Sequence, residues 1–160
     1  MRTAAERLAW ARGLCEKAQL RMTPAREKIL GYLAKQRMPV NLDTIAQADE
    51  IRGLCDPTTV YRSLMLLNEL TVVRQVSVRP KIRYFILNVS AETSAYLICR
   101  CCGAITELPP LRQAFDLERH VTTVTGYAEV YHELELYGVC PECQRTFKRG
   151  VPAHKLPVRV

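Results

Sequence analysis

Residues 56–70 read DPTTVYRSLMLLNEL, and this segment predicts a helix with a marked start and one apolar face. The aspartate and the proline that open it form an N-cap followed by proline in the first turn. Val60, Leu64 and Leu67 recur at steps of four and three, so they share one helix face, which we expect to be buried. Five other side chains point away from that core and are available to a partner: Thr58, Thr59, Tyr61, Arg62 and Met65.

Three more helices and a β-hairpin are predicted around this segment. Apolar residues at helical spacing indicate the helices, and two β-rich runs joined by a basic Arg-Pro-Lys tip indicate the hairpin. The helices are predicted over residues 3–18, 24–36 and 42–53, and the strands over residues 72–78 and 82–87. Helix, turn, helix and hairpin in this order are typical of a winged helix.

The second half of the chain predicts a smaller α/β domain. Residues 88–94 (NVSAETS) are polar and indicate a hinge. Beyond it the pattern predicts two strands, one helix and a further strand over residues 127–137, where apolar and polar residues alternate. We therefore predict an α+β protein with a winged-helix domain at residues 1–87, an α/β domain at residues 95–147 and a basic tail at residues 148–160.

Basic residues are concentrated in the first half of the chain. Residues 1–85 contain 15 Lys and Arg against 8 Asp and Glu, whereas residues 86–160 contain 8 of each. The formal net charge of +7 therefore belongs to the predicted winged helix, and it favours a polyanionic partner, either nucleic acid or an acidic membrane surface. A charge that serves only solubility would give the same composition. Since no run of 18 apolar residues and no apolar N-terminal stretch occur, we expect a cytoplasmic protein without membrane contact.

Four of the seven cysteines form two Cys-x-x-Cys units. These four cysteines are Cys99, Cys102, Cys140 and Cys143. Two such units present four thiolates, which is the ligand set of a tetrahedral structural zinc. The glycine that follows the first unit suits the tight turn beneath the metal. The sequence thus predicts a zinc site that joins the start of the second domain to its end.

The other three cysteines leave an alternative open. Cys101 lies inside the first unit and is a possible ligand in place of Cys102, although the Cys-x-x-Cys-Gly frame favours Cys102. A thiol-based redox protein is the competing function, because a reactive Cys101 or Cys-x-x-Cys unit would also suit it. We interpret Cys15 and Cys55 as small buried apolar residues. Catalysis has little support, since no phosphate loop, G-x-S-x-G or H-E-x-x-H motif occurs.

The exposed face of the helix at residues 56–70 carries side chains suited to DNA. The first two turns of such a helix enter the major groove when a winged helix binds DNA. Arg62 can pair with guanine or phosphate, and Tyr61 can lay its ring on a thymine methyl group. Thr58 and Thr59 can contact phosphate at the helix N-terminus. A solvated arginine and a packing tyrosine would explain the helix alone equally well, but the basic surroundings favour nucleic acid.

The chain resembles the ferric uptake regulator family. The matching pieces are RMTPAREKIL (21–30), DPTTVYRSLMLLNEL (56–70), RYFIL (83–87), YLICRCCGAITEL (96–108) and HELELYGVCPEC (132–143). The resemblance implies a metal-responsive transcriptional repressor that binds double-stranded operator DNA as a homodimer. It also implies dimerisation through the second domain and one structural zinc per chain on the four cysteines. By position, Tyr61 and Arg62 match recognition-helix contacts, Arg21 matches a minor-groove residue and Arg26 a DNA-backbone contact.

The sensory metal site of that family is altered in this chain. The element TSA before the first Cys-x-x-Cys resembles the zinc uptake regulator branch, where two histidines, a cysteine and a glutamate bind the sensory zinc. Glu107 matches the glutamate, but Arg74 and Glu92 stand at the histidine positions and Leu87 at the cysteine position. Arginine has no lone pair for a cation. One hypothesis is therefore that Arg74 forms ion pairs with Glu92 and Glu107, which would make the regulator metal-independent.

His132 is a further candidate for the altered sensory site. It aligns with a metal ligand of the iron-type branch, but Ala95 and Ala114 stand where its acidic partners would be. A lone histidine on an apolar strand face is more often a hydrogen-bonded core residue than a ligand. Glu92, Glu107, Asp116 and His132 are still able to form a weak divalent site. Whether a second, regulatory metal binds is therefore open at this point.

Overall fold

The computed structural model of the protein describes residues 3–79, 82–89, 95–109, 112–128 and 130–147. The chain divides into two compact units, Met1–Glu92 and Thr93–Val160. The first unit is mainly helical and the second is α/β, which confirms the predicted α+β class. None of the helices in the described part of the chain combines the length and apolar character needed to cross a membrane.

The first unit places helices beside a small antiparallel sheet. Its elements are α1 (Ala4–Lys17), α2 (Pro24–Lys35), β1 (Val40–Asn41), α3 (Leu42–Gln47), α4 (Pro57–Glu69), β2 (Val73–Arg79) and β3 (Ile82–Leu87). The strand order is β1-β3-β2, and β2 and β3 pair as the predicted hairpin, which is called the wing below. β1 has two residues, too few for an alternating pattern to reveal it in the sequence.

α4 buries the face that its apolar spacing predicts. Val60, Leu64 and Leu67 have no solvent-exposed surface. They share one hydrophobic core with residues of α2 and with Phe85 of β3. Burial of each such side chain contributes about 1.5–3 kcal/mol. The core therefore fixes which face of α4 remains outside.

α3 is shorter than predicted. It ends at Gln47 rather than near Gly53, because Ala48 takes an extended conformation with ψ of 138°. The chain then turns, and Ile51 returns into the core with no exposed surface. An apolar residue at helical spacing looks the same in the sequence whether it is buried in a helix or in a turn. The predicted helix therefore extends beyond the real end of α3.

α1 is fastened to the rest of the first unit by two polar side chains. The buried guanidinium of Arg7 donates to the backbone oxygen of Ala34, at 2.9 Å, and to that of Gln36. Both oxygens belong to the C-terminal end of α2, where helical carbonyls lack partners. The Trp10 indole N–H donates to the Asn88 backbone oxygen at 3.2 Å. Cys15 of α1 is fully buried, as predicted, whereas Cys55 is only partly buried against the same core, so the prediction for Cys55 is wrong.

α4 ends in a turn that requires an unusual backbone at Thr71. The N–H of Val72 donates to the oxygen of Leu67 at 2.9 Å, and that of Thr71 donates to the oxygen of Asn68 at 3.0 Å. These two hydrogen bonds define a Schellman motif, whose residue after the cap is left-handed and usually glycine. Thr71 takes φ of +56°, a costly conformation for a β-branched residue. The turn into the wing is thus made without glycine.

Replacing Thr71 by glycine is expected to stabilise the protein. Relief of the left-handed strain exceeds the extra entropy of an unfolded glycine, for a net gain of about 1 kcal/mol in the free energy of unfolding. Urea denaturation measures the free energy of unfolding of the variant and of the wild type. Thr71→Ala is the matched control, because alanine keeps the Cβ and should gain less. A Thr71→Gly variant less stable than wild type would contradict the assignment of strain.

The second unit is built around the strand β4. Its elements are β4 (Ala95–Cys99), β5 (Ile105–Leu108), α5 (Arg112–Thr125), β6 (Glu135–Gly138) and α6 (Pro141–Phe147). β4 lies in the centre, antiparallel to β5 and parallel to β6. The short helix α6 is not predicted by the sequence pattern.

The long strand predicted over residues 127–137 is wrong. Strand pairing covers only Glu135–Gly138, which lies beside Tyr96–Cys99 of β4. The described residues between the end of α5 and Glu135 are not in a strand. An alternating pattern indicates two faces, but a strand also needs a neighbouring strand to hydrogen bond with. β4 has only five residues, so it cannot pair with the whole of the predicted segment.

The predicted domain boundaries remain predictions in detail. Asn88 hydrogen bonds to Thr71 and Val72, and Val89 belongs to the core of the first unit. Most of the predicted hinge, residues 90–94, and the predicted tail, residues 148–160, lie outside the described residues.

Candidate metal centre and nucleic-acid interface

The sheet of the second unit brings the two Cys-x-x-Cys units together. Cys99 ends β4, and the chain then turns through Gly103, whose φ is +75°. The Gly103 N–H donates to the Cys99 oxygen at 2.9 Å, which closes this turn. Because β6 runs parallel beside β4, Gly138 pairs with Cys99 and delivers Cys140 to the same place. Cys143 follows in the first turn of α6.

The four sulfur atoms have the spacing of a metal site. The Sγ atoms of Cys99, Cys102, Cys140 and Cys143 all lie within 4.8 Å of one another. A zinc tetrahedron with Zn–S bonds of about 2.3 Å has sulfur–sulfur edges of about 3.8 Å. The Cys102 and Cys140 sulfurs are 3.7 Å apart, close to that edge. The cluster therefore suits a structural zinc, as predicted.

Backbone N–H groups donate hydrogen bonds to two of the sulfur atoms and so favour the thiolate form that binds a cation. The Cys140 N–H donates to the Cys99 sulfur at 3.3 Å, and the Cys143 N–H donates to the Cys140 sulfur at 3.4 Å. Burial opposes ionisation of Cys99, but backbone N–H groups of Cys102, Cys140 and Cys101 outweigh it and lower its pKa to about 5. The hydrogen bond with Cys140 raises the pKa of Cys143. Without a cation, ionisation of one thiol disfavours ionisation of its neighbours. Zinc would remove this opposition, because it would bind all four cysteines as thiolates.

Cys101 is not part of the four-sulfur cluster. The group of ligand atoms that lie together contains Cys102 instead, as the Cys-x-x-Cys-Gly frame favours. Burial and the neighbouring Cys99 raise the pKa of Cys101, which keeps it protonated. Convergence of both units on one point favours metal binding over a redox function, which would use one unit.

The start of α4 is built by the predicted cap. Asp56 accepts from the Thr59 N–H at 2.8 Å and from the Thr59 hydroxyl at 3.0 Å. These hydrogen bonds hold the pKa of Asp56 below its usual value. Thr58 is exposed, while the Thr59 hydroxyl is engaged in the cap. Arg62 is exposed and Tyr61 is half-buried, so both lie outside the core face of α4.

The wing contacts the outer face of α4 through Arg83. Its guanidinium donates to the Tyr61 hydroxyl, and its central carbon lies 5.0 Å from the centre of the Tyr61 ring. One guanidinium nitrogen is also 3.6 Å from the Met65 sulfur. No role for Arg83 is predicted from the sequence. One feature of the sequence could have indicated this contact: Arg83 lies on the same face of β3 as Phe85 and Leu87, which are buried.

Arg21 and Arg26 flank the start of α2. Arg21 is exposed, and its backbone oxygen accepts from the Arg26 guanidinium at 2.5 Å. Thr23 caps the helix by accepting from the Arg26 N–H at 3.3 Å. The two arginines thus lie together at one helix start, and their contacts with DNA remain predictions.

The candidate sensory residues are distributed over both units. Arg74 lies on β2 of the first unit, opposite Ile86, and is 6% exposed. Glu107 lies on β5 of the second unit and is exposed. Glu92 lies outside the described residues. The ion-pair hypothesis for these three residues remains a prediction.

His132 has an acidic partner that the sequence pattern does not predict. Its Nδ1 lies 2.7 Å from a carboxylate oxygen of Glu118 on α5. The Phe115 ring meets the imidazole edge to face, with ring centres 5.5 Å apart. Glu118 and Phe115 are three apart on one helix, a spacing that places both on the side facing His132. This arrangement matches the interpretation of His132 as a hydrogen-bonded residue.

Two features together define the class of protein: a basic winged helix and an α/β unit that gathers four cysteines. Within that class, the sequence profile of the ferric uptake regulator family matches residues 17–137. The chain therefore belongs to the ferric uptake regulator family, whose members are transcription regulators and not enzymes.

Similar proteins of known identity agree with this assignment. The peroxide-responsive repressor PerR of Staphylococcus aureus (strain Mu50) is 29% identical over 134 residues, which cover 79% of this chain and 84% of that protein. The ferric uptake regulator Fur of Helicobacter pylori has the same fold, with a TM-score of 0.66, 19% identity and coverage of 89% and 95%. A zinc uptake regulator complexed with zinc and DNA has a TM-score of 0.52, 27% identity and coverage of 92% and 99%.

Proposed function

We propose that this protein is a transcriptional repressor that binds double-stranded operator DNA through α4 and the wing. The observation that carries the proposal is the outer face of α4, where Arg62 is exposed and the Tyr61 hydroxyl accepts from the Arg83 guanidinium of the wing. Arginine and tyrosine are suited to base edges and thymine methyl groups. The basic surplus of residues 1–85 supplies the attraction to phosphate. The similar zinc uptake regulator, solved with zinc and DNA, supports the same use of this fold.

Selection of DNA from a random library tests this proposal. The purified protein, loaded with zinc, is expected to enrich one sequence from randomised duplexes, and fluorescence anisotropy then measures its affinity. Affinity should fall steeply with salt, because phosphate contacts release counterions. A protein that enriches no sequence, and binds all duplexes equally, would refute the repressor function. We propose the cytoplasm as its location, in agreement with the expectation from the sequence.

We further propose that the second unit forms a homodimer. Its buried apolar side chains among the described residues are all on β4: Ala95, Tyr96, Ile98 and Cys99. Leu117, Val124 and Tyr131, by contrast, are each about 60% exposed or more. Exposed apolar side chains grouped in one small unit are typical of an interface. Leu117 and Val124 are seven residues apart on α5, and this spacing places them on one stripe.

Placing charge on this stripe is expected to separate the dimer. Leu117→Glu/Val124→Glu buries two carboxylates in the interface, so the dimer dissociation constant should rise at least 100-fold. Analytical ultracentrifugation measures the change. Thr123→Glu, an exposed position on the same helix but off the stripe, is the control and should remain dimeric. A double variant that stays dimeric would place the interface elsewhere.

The number of zinc ions per chain distinguishes two versions of this repressor. One zinc after dialysis against zinc-free buffer indicates the four-cysteine site alone and supports the metal-independent version with the Arg74 ion pairs. Two indicate that a second site survives on Glu92, Glu107 or His132 and that the protein senses metal. We expect one, since arginine replaces a histidine ligand and His132 is engaged by Glu118. Elemental mass spectrometry counts the metal.

A double-mutant cycle tests the ion-pair version separately. Arg74→Met and Glu107→Gln are made singly and together, and the free energy of unfolding and the DNA affinity are measured for each. Coupling between the two substitutions supports the ion pair. Zero coupling in both measurements would eliminate it, whatever the metal count.

A further inference from the structure

The contact between Arg83 and Tyr61 joins the wing to the outer face of α4, outside the hydrophobic core that the two elements share. Arg83 is on β3 of the wing, and Tyr61 is in the first two turns of α4. The guanidinium donates to the phenol oxygen and also lies over the ring, 5.0 Å from its centre. A hydrogen bond and a cation–π contact from one group restrict both the position and the tilt of the ring.

The position of Arg83 on its strand explains why it reaches α4. Side chains alternate across a strand, so Arg83 shares a face with Phe85 and Leu87, which are buried in the core. Arg83 continues this face beyond the core and is exposed. One nitrogen of its guanidinium lies 3.6 Å from the Met65 sulfur of α4. The core thereby aims an exposed cation at the outer face of α4.

We propose that Arg83 is a positioning residue of the DNA interface, which holds the Tyr61 ring in the orientation that reads a base. This inference rests on the proposed DNA-binding function and deepens it. The sequence preference of the protein at one base pair then depends on a residue of the wing. Arginine fits this role better than lysine, because only a planar guanidinium can stack on a ring while donating to its hydroxyl.

A simpler role for Arg83 is a phosphate contact, and the two roles predict different results. A positioning residue acts through Tyr61, so its removal should matter only when Tyr61 is present and only for the preferred sequence. A phosphate contact acts on any duplex and is retained by lysine. The variants needed are Arg83→Ala, Arg83→Lys, Tyr61→Ala and the double variant Arg83→Ala/Tyr61→Ala.

The experiment measures each variant, by fluorescence anisotropy, on the duplex that the wild type selects and on a scrambled duplex of equal composition. We expect Arg83→Ala and Arg83→Lys to weaken binding to the selected duplex about two- to fivefold. Binding to the scrambled duplex should change by less than twofold with Arg83→Lys. In the Tyr61→Ala background, Arg83→Ala should have no further effect on the preference. Arg119→Ala, an exposed arginine on α5, is the control and should leave the preference unchanged.

A measurement without DNA checks the contact itself. The ring resonances of Tyr61 in a ¹³C-labelled protein should shift with Arg83→Ala and not with Arg119→Ala. Full rescue by lysine, an equal loss on both duplexes, an undiminished effect in the Tyr61→Ala background or unchanged Tyr61 resonances would each overturn the role of Arg83. Those results leave the repressor function intact when the wild type still selects a sequence. A wild type that selects none would overturn both.

Discussion

Cys140→Ser is expected to remove zinc from the protein and to unfold the second unit. The hydroxyl of serine stays protonated at neutral pH and is a poor zinc ligand, so the site loses one of four bonds and the clip between β4 and α6 opens. The described part of the second unit buries few apolar side chains, all of them on β4, and has little else to hold it. We expect a loss of about 4 kcal/mol or more in the free energy of unfolding.

Elemental mass spectrometry and thermal unfolding followed by circular dichroism measure these effects. Zinc per chain should fall from one to near zero, and the cooperative transition of the second unit should disappear. Cys101→Ser makes the same chemical change one residue from Cys102 and should keep both zinc and stability. A Cys140→Ser protein that retains its zinc and its melting temperature would show that the metal, if bound, lies elsewhere.

Arg62→Ala is expected to reduce sequence-specific DNA binding strongly. Arg62 is exposed on the outer face of α4. An arginine that pairs with a base contributes about 1–3 kcal/mol of discrimination, so affinity for the selected duplex should fall roughly 5- to 150-fold. Affinity for a scrambled duplex should change far less. Loss of preference at one or two base pairs in a repeated selection would identify the bases that Arg62 contacts.

Arg26→Ala is the matched comparison for this prediction. It removes the same charge from the start of α2, where we predict a contact to the DNA backbone. Binding to selected and scrambled duplexes should weaken alike, and the salt dependence should become shallower by about one phosphate contact. If both arginine variants bind every duplex like the wild type, the face of α4 is not the surface that reads DNA.

The helices of the first unit were predictable because their signals are local. The aspartate-proline cap and the apolar spacing of α4 lie within one segment, and the observed start and buried face agree with both. The end of α3 was not predictable from such a pattern. Whether Ile51 reaches the core through a helix or a turn depends on the hydrogen bonds that the turn makes with Ala48.

The four cysteines illustrate a signal that is chemical as well as local. Each Cys-x-x-Cys unit is complete in four residues, so the ligand set could be predicted with no knowledge of the sheet. The choice between Cys101 and Cys102 became clear only in the structure. The turn closed by Gly103 carries the Cys102 sulfur to within 3.7 Å of the Cys140 sulfur.

The sequence by itself determined the family, the winged-helix order, the two Cys-x-x-Cys units of the metal site and the placement of Tyr61 and Arg62 outside the core face of α4, because each is encoded by neighbours along the chain. Only the tertiary structure decided that Arg83 contacts Tyr61 and that Glu118 contacts His132. These pairs are separated by 22 and 14 residues along the chain. Arg83 meets Tyr61 because β3 and α4 share one hydrophobic core. No spacing in the sequence encodes a contact of that kind, since its geometry belongs to the packed elements and not to either segment alone.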